Sequence, residues 1–197
     1  MTKKQKPELQ KVIIWVLLSL IVLSIILLVI NILYTNYILT DLHPTYYYQE
    51  IVERYADEYN IDKYLIYAMI KTESGFKRDA VSDVGARGLM QIMPDTFDWL
   101  SGHRLLEDDL TFNDMFVPEH NIRYGVELIS YHMRHYNNTD NSLAAYHAGD
   151  GAVDNWLKDK RYSEDGKTLH HIPSAATAHY VSKVNKAYKI YLKLYKE

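Results

Sequence analysis

The sequence predicts a mainly α-helical domain that is preceded by a single transmembrane helix. Beyond about residue 45, apolar residues recur at steps of three and four, the period of a helix with one buried face. One uninterrupted apolar segment lies near the N-terminus. The chain's 197 residues, 48% hydrophobic and 24% charged, suit one folded domain with an appendage. No strong strand alternation occurs, although residues 101–112 are compatible with a short hairpin.

The apolar segment runs from Val12 to Ile30 without a charged residue. Continued to Leu33, it is long enough to cross a hydrocarbon core as a helix. It is longer than the apolar core of a usual signal peptide, and no small-residue cleavage site follows it. A helix buried in a protein core is the weaker alternative, so the segment predicts a single-pass membrane anchor.

The charges that flank the segment predict its orientation. Four lysines and one glutamate precede it, and no Lys or Arg follows before Arg54. Because positively charged flanks remain in the cytoplasm, the N-terminus is expected inside the cell and the folded domain outside. The expected organisation is a basic cytoplasmic tail at 1–11, the anchor at 12–34, a linker at 35–46 and the domain at 47–197.

The domain is acidic and the chain contains no cysteine. Residues 41–197 carry 18 Lys+Arg and 24 Asp+Glu, a net charge of −6. This charge argues against nucleic acid as a partner, since phosphate binding needs clustered positive charge. Without cysteine there are no thiol nucleophiles or thiolate metal ligands. No His-Glu-x-x-His pattern occurs either, so we expect no metal site.

Apolar spacing and capping residues predict the helices of the domain. In the second of them, Asp62 is expected as the N-cap, and Leu65, Met69 and Glu73 share one face. In chain order the expected helices are Tyr47–Tyr59, the helix after Asp62, Pro94–Leu100, about Pro118–Tyr136 with a stripe of Ile122, Val126, Ile129 and Met133, Leu143–His147, Val153–Leu157 after an interruption by Gly149 and Gly151, and a C-terminal helix striped by Tyr180, Val184, Ala187, Tyr191 and Leu194.

Glu73 is the most informative polar residue. It ends an apolar stripe near a helix C-terminus, directly before Ser74 and Gly75. Partial burial and the negative end of the helix dipole both disfavour its ionised form, so its pKa should be raised. A carboxyl with a raised pKa is a proton donor near neutral pH. The alternative is a solvated glutamate that merely closes the helix.

Two further segments have compositions that favour close contacts. Between Gly85 and Pro94, two glycines flank a basic residue and allow a tight turn, while Gln91 among apolar neighbours needs hydrogen-bond partners. In the second segment, Ala144–Gly149, small residues surround Tyr146 and His147, as they would at the floor of a groove. Taken alone, each segment is also compatible with ordinary packing and capping.

Four motifs stand in order along the domain: Glu73-Ser74-Gly75, Gly88-Leu89-Met90-Gln91 with Met93-Pro94, Ala145-Tyr146-His147-Ala148-Gly149, and Ile172-Pro173 with Tyr180-Val181. Together, over about residues 50–190, they resemble the soluble-lytic-transglycosylase domain of the lysozyme superfamily. The resemblance implies a mainly α, lysozyme-like fold of two lobes with a glycan groove between them.

The resemblance also implies an activity on peptidoglycan strands, at the β-1,4 bond between N-acetylmuramic acid and N-acetylglucosamine, without a cofactor. Glu73 would protonate the glycosidic oxygen and then take the proton of the C6 hydroxyl, which closes a 1,6-anhydro ring. Tyr180 would join it as a catalytic residue, with its hydroxyl within reach of the carboxyl. The residues expected to contact the glycan are Ser74, Met90, Gln91, Tyr146 and His147.

The sequence departs from the family's pattern at two places. His147 stands where the family usually has Asn, so an imidazole replaces a sugar-binding amide. Ala176-Thr177-Ala178 stands where the family often has Glu-Thr-Arg, so a carboxylate and a guanidinium are missing. Both departures bear on substrate contacts, and neither removes the expected acid.

Two other functions stay open from the sequence. Asp79 and Asp83 follow Glu73, and a carboxylate facing the sugar could direct water, which would make the protein a muramidase. Alternatively, the domain could bind glycan without turnover and serve as a scaffold for envelope proteins, none of which the sequence identifies.

Overall fold

The structure, a computed structural model, describes residues 5–42, 48–106 and 109–195, with only the backbone described at 5–9 and 36–42. The chain divides into two units, residues 1–43 and 44–197.

The first unit consists of one long helix, α1, Gln5–Leu42. Within it, Gln10–Thr35 is long and apolar enough to cross a membrane, by length and composition. Its two serine hydroxyls, those of Ser19 and Ser24, each donate to a carbonyl oxygen three residues earlier, at 2.8 Å. Polar groups bonded inside the helix suit a hydrocarbon environment. The helix continues through residues 35–42, which were expected to form a linker, while 43–46 lie outside the described residues.

The second unit is mainly helical, as predicted. Its helices are α2, Gln49–Tyr59; α3, Lys63–Ser74; α4, Pro94–Leu100; α5, Pro118–Tyr136; α6, Thr139–Ala148; α7, Asp150–Lys158; and α8, Ala175–Tyr195. Position Tyr47, where the first helix was expected to begin, lies outside the described residues. Only Gly149, with φ +83°, separates α6 from α7, and Gly151 lies inside α7, so the expected interruption at Gly151 is wrong.

The hairpin considered for residues 101–112 is also wrong for the part of that segment that is described. Ser101–Leu105 forms a π-helical turn that continues α4, and a 3₁₀ turn begins at Phe112. The physical reason is a polar anchor on α5. Arg104 donates from Nε to the Glu127 carboxylate at 2.7 Å, and the hydroxyls of Ser101 and Tyr124 lie 2.8 Å apart. These contacts hold the segment coiled against α5.

Helix α3 is the buried centre of the domain. Asp62 caps its N-terminus, accepting from the Tyr64 backbone N–H at 2.9 Å, as predicted. Both the expected stripe and its neighbours are buried: Leu65, Ile66, Ala68, Met69 and Ile70 are at most 2% exposed. The helix packs chiefly against α8, whose predicted stripe is buried at Tyr180, Val184, Ala187 and Tyr191.

Candidate active site

The carboxyl group of Glu73 lies at the C-terminal end of α3. Ser74 is the last residue of this helix, and Gly75 ends it in the left-handed conformation, with φ +59°. Because the preceding turns lie in the core, the helix carries the carboxyl into a largely dry environment. Burial raises the pKa of Glu73 to about 7, while Tyr180 and Lys183 act in the opposite direction. The predicted raised pKa is therefore confirmed.

Tyr180 is the polar neighbour of this carboxyl, from α8. Burial raises the pKa of the Tyr180 hydroxyl, and the charge of Glu73 raises it further. Although the two groups influence each other's pKa, the buried hydroxyl forms no hydrogen bond of normal geometry with the described residues. The two groups are neighbours, and the hydroxyl is available to the carboxyl or to an incoming oxygen atom.

A tight turn at residues 87–92 packs against the end of α3. Its ends pair in antiparallel fashion: the Arg87 N–H donates to the Ile92 carbonyl at 2.9 Å, and the Ile92 N–H donates back at 3.0 Å. The Ser74 hydroxyl joins the turn to the helix by donating to the Leu89 carbonyl at 2.8 Å. This bond fixes the chain next to Glu73, and a contact of Ser74 with the carboxyl or with a sugar stays a prediction.

Asn121, on α5, supports the turn from inside the domain. Its side chain is fully buried, and its amide oxygen accepts from the Met90 N–H at 2.7 Å. Its amide nitrogen donates to the carbonyls of Arg87 at 2.9 Å and Met115 at 2.8 Å. Gly88 has φ +78°, and a Cβ there would lie 2.2 Å from the Asn121 amide nitrogen. The turn therefore requires glycine at position 88.

Gln91 is partly buried and has the hydrogen-bond partners that the sequence required. Its amide nitrogen donates to the carbonyls of Gly88 at 2.9 Å and Ala80 at 3.3 Å. Since these bonds use both amide protons, only the amide oxygen remains to accept a proton from a ligand.

Met90 belongs to the turn at 87–92, and Tyr146 contacts this turn from α6. The Met90 side chain is fully buried, and a Cβ at Gly125 would lie 2.4 Å from its sulfur. It fills the core against α5, so it does not line an open groove as expected. The Tyr146 hydroxyl donates to the Met90 carbonyl at 2.8 Å, which ties α6 to the turn. Burial raises the pKa of this hydroxyl well above its ordinary value.

His147 follows on α6 and is exposed, with its ring only partly buried. Its ring lies 4.7 Å from the Tyr180 ring, centroid to centroid. Its Nδ1 lies 3.1 Å from the Thr177 hydroxyl oxygen, at the start of α8. Partial burial lowers the pKa of His147, which favours the neutral ring at pH 7.

Tyr146 and His147 also line a cleft of about 370 Å³. Its other walls include the aromatic residues Trp99 and Tyr131, whose rings meet edge to face at 5.0 Å between centroids. A cleft lined by aromatic and polar side chains suits a sugar chain, which has both apolar ring faces and hydroxyl groups. A larger cleft of about 620 Å³ contains none of the predicted site residues.

The carboxylates considered for a muramidase, Asp79 and Asp83, lie in the loop after α3. Asp79 and Asp83 are exposed, and neither is among the groups that shift the pKa of Glu73. Asp79 instead influences Tyr48 at the beginning of α2. Within the described ranges, no group of three or more histidines and carboxylates is arranged to hold a metal ion.

The family described as the Transglycosylase SLT domain matches residues 50–169 of this chain. The chain belongs to this family. It is 31% identical over 150 residues to the soluble lytic murein transglycosylase of Escherichia coli K12, covering 75% of this chain and 23% of that protein. It is 29% identical over 174 residues to membrane-bound lytic murein transglycosylase C of Edwardsiella ictaluri, covering 75% and 47% of the two chains.

A solved structure supports the same assignment. The X-ray structure of an inactive glutamate-to-glutamine mutant of lytic transglycosylase Slt from Pseudomonas aeruginosa superposes with a TM-score of 0.65 at 33% identity. The match covers 76% of this chain and 24% of that one. This SLT chain therefore spans about a quarter of the length of these soluble relatives.

The structure of this SLT domain also adds residues that the sequence analysis missed. Asn121 carries no local signal, because its role arises from the approach of α5 to the turn at 87–92. Trp99 and Tyr131 had a weak signal as large aromatic residues on helices flanking the predicted motifs. Thr177 was noted only as the middle of a departing motif, yet it is 1% exposed and contacts His147.

Proposed function

We propose that this protein is a peptidoglycan lytic transglycosylase that cleaves the β-1,4 bond between N-acetylmuramic acid and N-acetylglucosamine and leaves 1,6-anhydro ends. The observation that carries the proposal is the Glu73 carboxyl, with a pKa of about 7, on an SLT domain. The 370 Å³ cleft of this domain is lined by Tyr146 and His147, and not by Glu73 itself, and its aromatic and polar walls suit a sugar chain. A pKa near neutrality lets the carboxyl give up a proton and take one back at modest cost, as a single residue acting as acid and then as base must do.

The reaction needs no other proton carrier. Protonated Glu73 donates its proton to the glycosidic oxygen as the bond to C1 breaks, and the leaving sugar departs with a new hydroxyl group. The resulting carboxylate then takes the proton of the muramic acid C6 hydroxyl, while the C6 oxygen bonds to C1. Glu73 ends the cycle protonated, and no water is consumed. One carboxyl therefore suffices, which agrees with the exposed positions of Asp79 and Asp83.

The other predicted site residues have roles that follow from their hydrogen bonds and their positions. Tyr180 offers its unpaired hydroxyl to the reacting oxygen atoms. Gln91 offers its amide oxygen to a sugar hydroxyl, and Tyr146 and His147 form one wall of the cleft. Ser74 acts by holding the turn at 87–92 against α3.

We also propose that α1 anchors the enzyme in the cell membrane, with its N-terminus in the cytoplasm and the SLT domain on the cell-wall side. The apolar length of α1, the lysines before it and a relative named as membrane-bound support this. Such an anchor would confine cleavage to glycan strands close to the membrane.

The test is the mass of the released products. The full chain in detergent, as wild type and as Glu73→Gln, is incubated with purified peptidoglycan, and the muropeptides are weighed. We expect products one water lighter than hydrolysed ones from the wild type, and none from the variant. Wild-type products of full hydrolysed mass would identify a muramidase. Glycan binding without products in either protein would identify a binding scaffold.

A further inference from the structure

His147 is held on one side and open on the other. Its Nδ1 faces the buried Thr177 hydroxyl at 3.1 Å, and its ring packs on Tyr180. The opposite nitrogen, Nε2, forms no hydrogen bond with the described part of the chain, and the residue lines the 370 Å³ cleft. Which nitrogen carries the proton therefore decides what this wall offers to a ligand.

The hydrogen bonds of Thr177 determine which group donates the proton in its contact with His147. Its hydroxyl donates to the Ser174 hydroxyl oxygen at 3.0 Å, and Ser174 also accepts from the Thr177 N–H at 3.3 Å, as the N-cap of α8 does. Because a hydroxyl has a single proton, Thr177 turns only a lone pair towards His147. A hydrogen bond at this distance then requires the proton to lie on Nδ1 of the imidazole.

We propose that Thr177, oriented by Ser174, holds His147 in the tautomer protonated at Nδ1, so that Nε2 accepts a hydrogen bond from a hydroxyl or amide N–H group of the bound glycan. The proposal rests on the proposed function, because it takes a glycan as the ligand of the cleft. Thr177 is a positioning residue, and His147 is the residue that discriminates between ligands. An amide at position 147 would offer donors and an acceptor together, whereas this ring offers an acceptor alone.

The tautomer can be read directly. In the full chain, labelled with ¹⁵N-histidine and held in detergent micelles at neutral pH, the ring nitrogens of His147 are assigned by comparison with His147→Gln. We expect Nδ1 to give the shift of a protonated nitrogen and Nε2 that of an unprotonated one. Thr177→Val should abolish this preference, and Thr177→Ser, which keeps the hydroxyl, should retain it. A wild-type ring protonated at Nε2 overturns the proposal without any variant.

Binding supplies the second measurement. In a Glu73→Gln background, which blocks turnover, calorimetry measures the affinity for a purified tetrasaccharide of alternating N-acetylglucosamine and N-acetylmuramic acid. Loss of one oriented hydrogen bond predicts about a threefold to tenfold weaker affinity in Thr177→Val. Thr177→Ser should bind as its parent does.

Either an unchanged affinity in Thr177→Val or an equal loss in Thr177→Ser overturns the proposal, the second because it would point to packing. Neither measurement needs turnover. Failure of the proposed activity would therefore show in the product masses, while the spectra and the affinities would still report on the tautomer.

Discussion

Replacing Glu73 with Gln should stabilise the fold at alkaline pH while it abolishes activity. An unfolded glutamate ionises with a pKa near 4.5, whereas in the folded domain burial raises the pKa to about 7. The unfolded chain therefore releases this proton first, and the folded state loses relative stability as pH rises from about 4.5 to 7. At pH 8 the raised pKa lowers the free energy of unfolding by about 3 kcal/mol, and at pH 4 this loss vanishes.

Glutamine has the shape of the carboxyl but cannot ionise, so the variant escapes this loss. The quantity compared is the free energy of unfolding of Glu73→Gln minus that of the wild type. We expect this difference to be about 3 kcal/mol larger at pH 8 than at pH 4. The measurement is urea unfolding of the full chain in a nonionic detergent, followed by the circular dichroism of the mainly helical domain. Glu50→Gln, at an exposed position of α2, is the matched control.

The comparison between the two pH values decides the result, since any effect of the amide on packing is common to both. An equal difference at pH 4 and pH 8 would mean that Glu73 titrates at its ordinary pKa. The carboxyl would then be ionised at neutral pH, and its role as the acid would lose its physical basis.

Three further outcomes are expected. The alkaline decline of kcat/KM should have its midpoint near pH 7, because the free enzyme must hold the proton on Glu73. The Tyr180 hydroxyl lowers the pKa of Glu73, so Tyr180→Phe should raise this pKa and shift the decline to higher pH. A pH profile without a shift would contradict this expectation. Gly88→Ala should lower the free energy of unfolding by about 3 kcal/mol or more, since its Cβ would clash with Asn121 at 2.2 Å, whereas Gly102→Ala, with open space around it, should not.

Much of the fold was predictable because it depends on local patterns. Helical periodicity, the cap at Asp62 and Pro at the start of α4 and α5 are properties of a few neighbouring residues, and the structure agrees with them. The hairpin considered at 101–112 was wrong because a long-range contact, Arg104 with the buried Glu127, decides that segment. The interruption expected at Gly151 was wrong because Gly149, with a φ of +83°, already ends α6.

The candidate site likewise has features that local sequence predicts and features that depend on distant residues. The raised pKa of Glu73 could be predicted, since an apolar stripe and a helix end are visible in the sequence. The burial of Met90 could not, because it depends on the missing side chain at Gly125 of another helix. The bonds of Asn121 and Thr177 likewise join segments that are distant along the chain, and no local pattern marks them.

The position of Glu73 also explains how the domain tolerates a buried acid. At pH 8 the raised pKa opposes folding by about 3 kcal/mol. The same helix buries Leu65, Ile66, Met69 and Ile70 almost completely, and each such side chain contributes about 1.5–3 kcal/mol. Their sum is at least twice the penalty, even before α8 is counted. A carboxyl with a near-neutral pKa can therefore persist at the end of α3, whereas a mobile surface loop would move and let water restore its ordinary pKa.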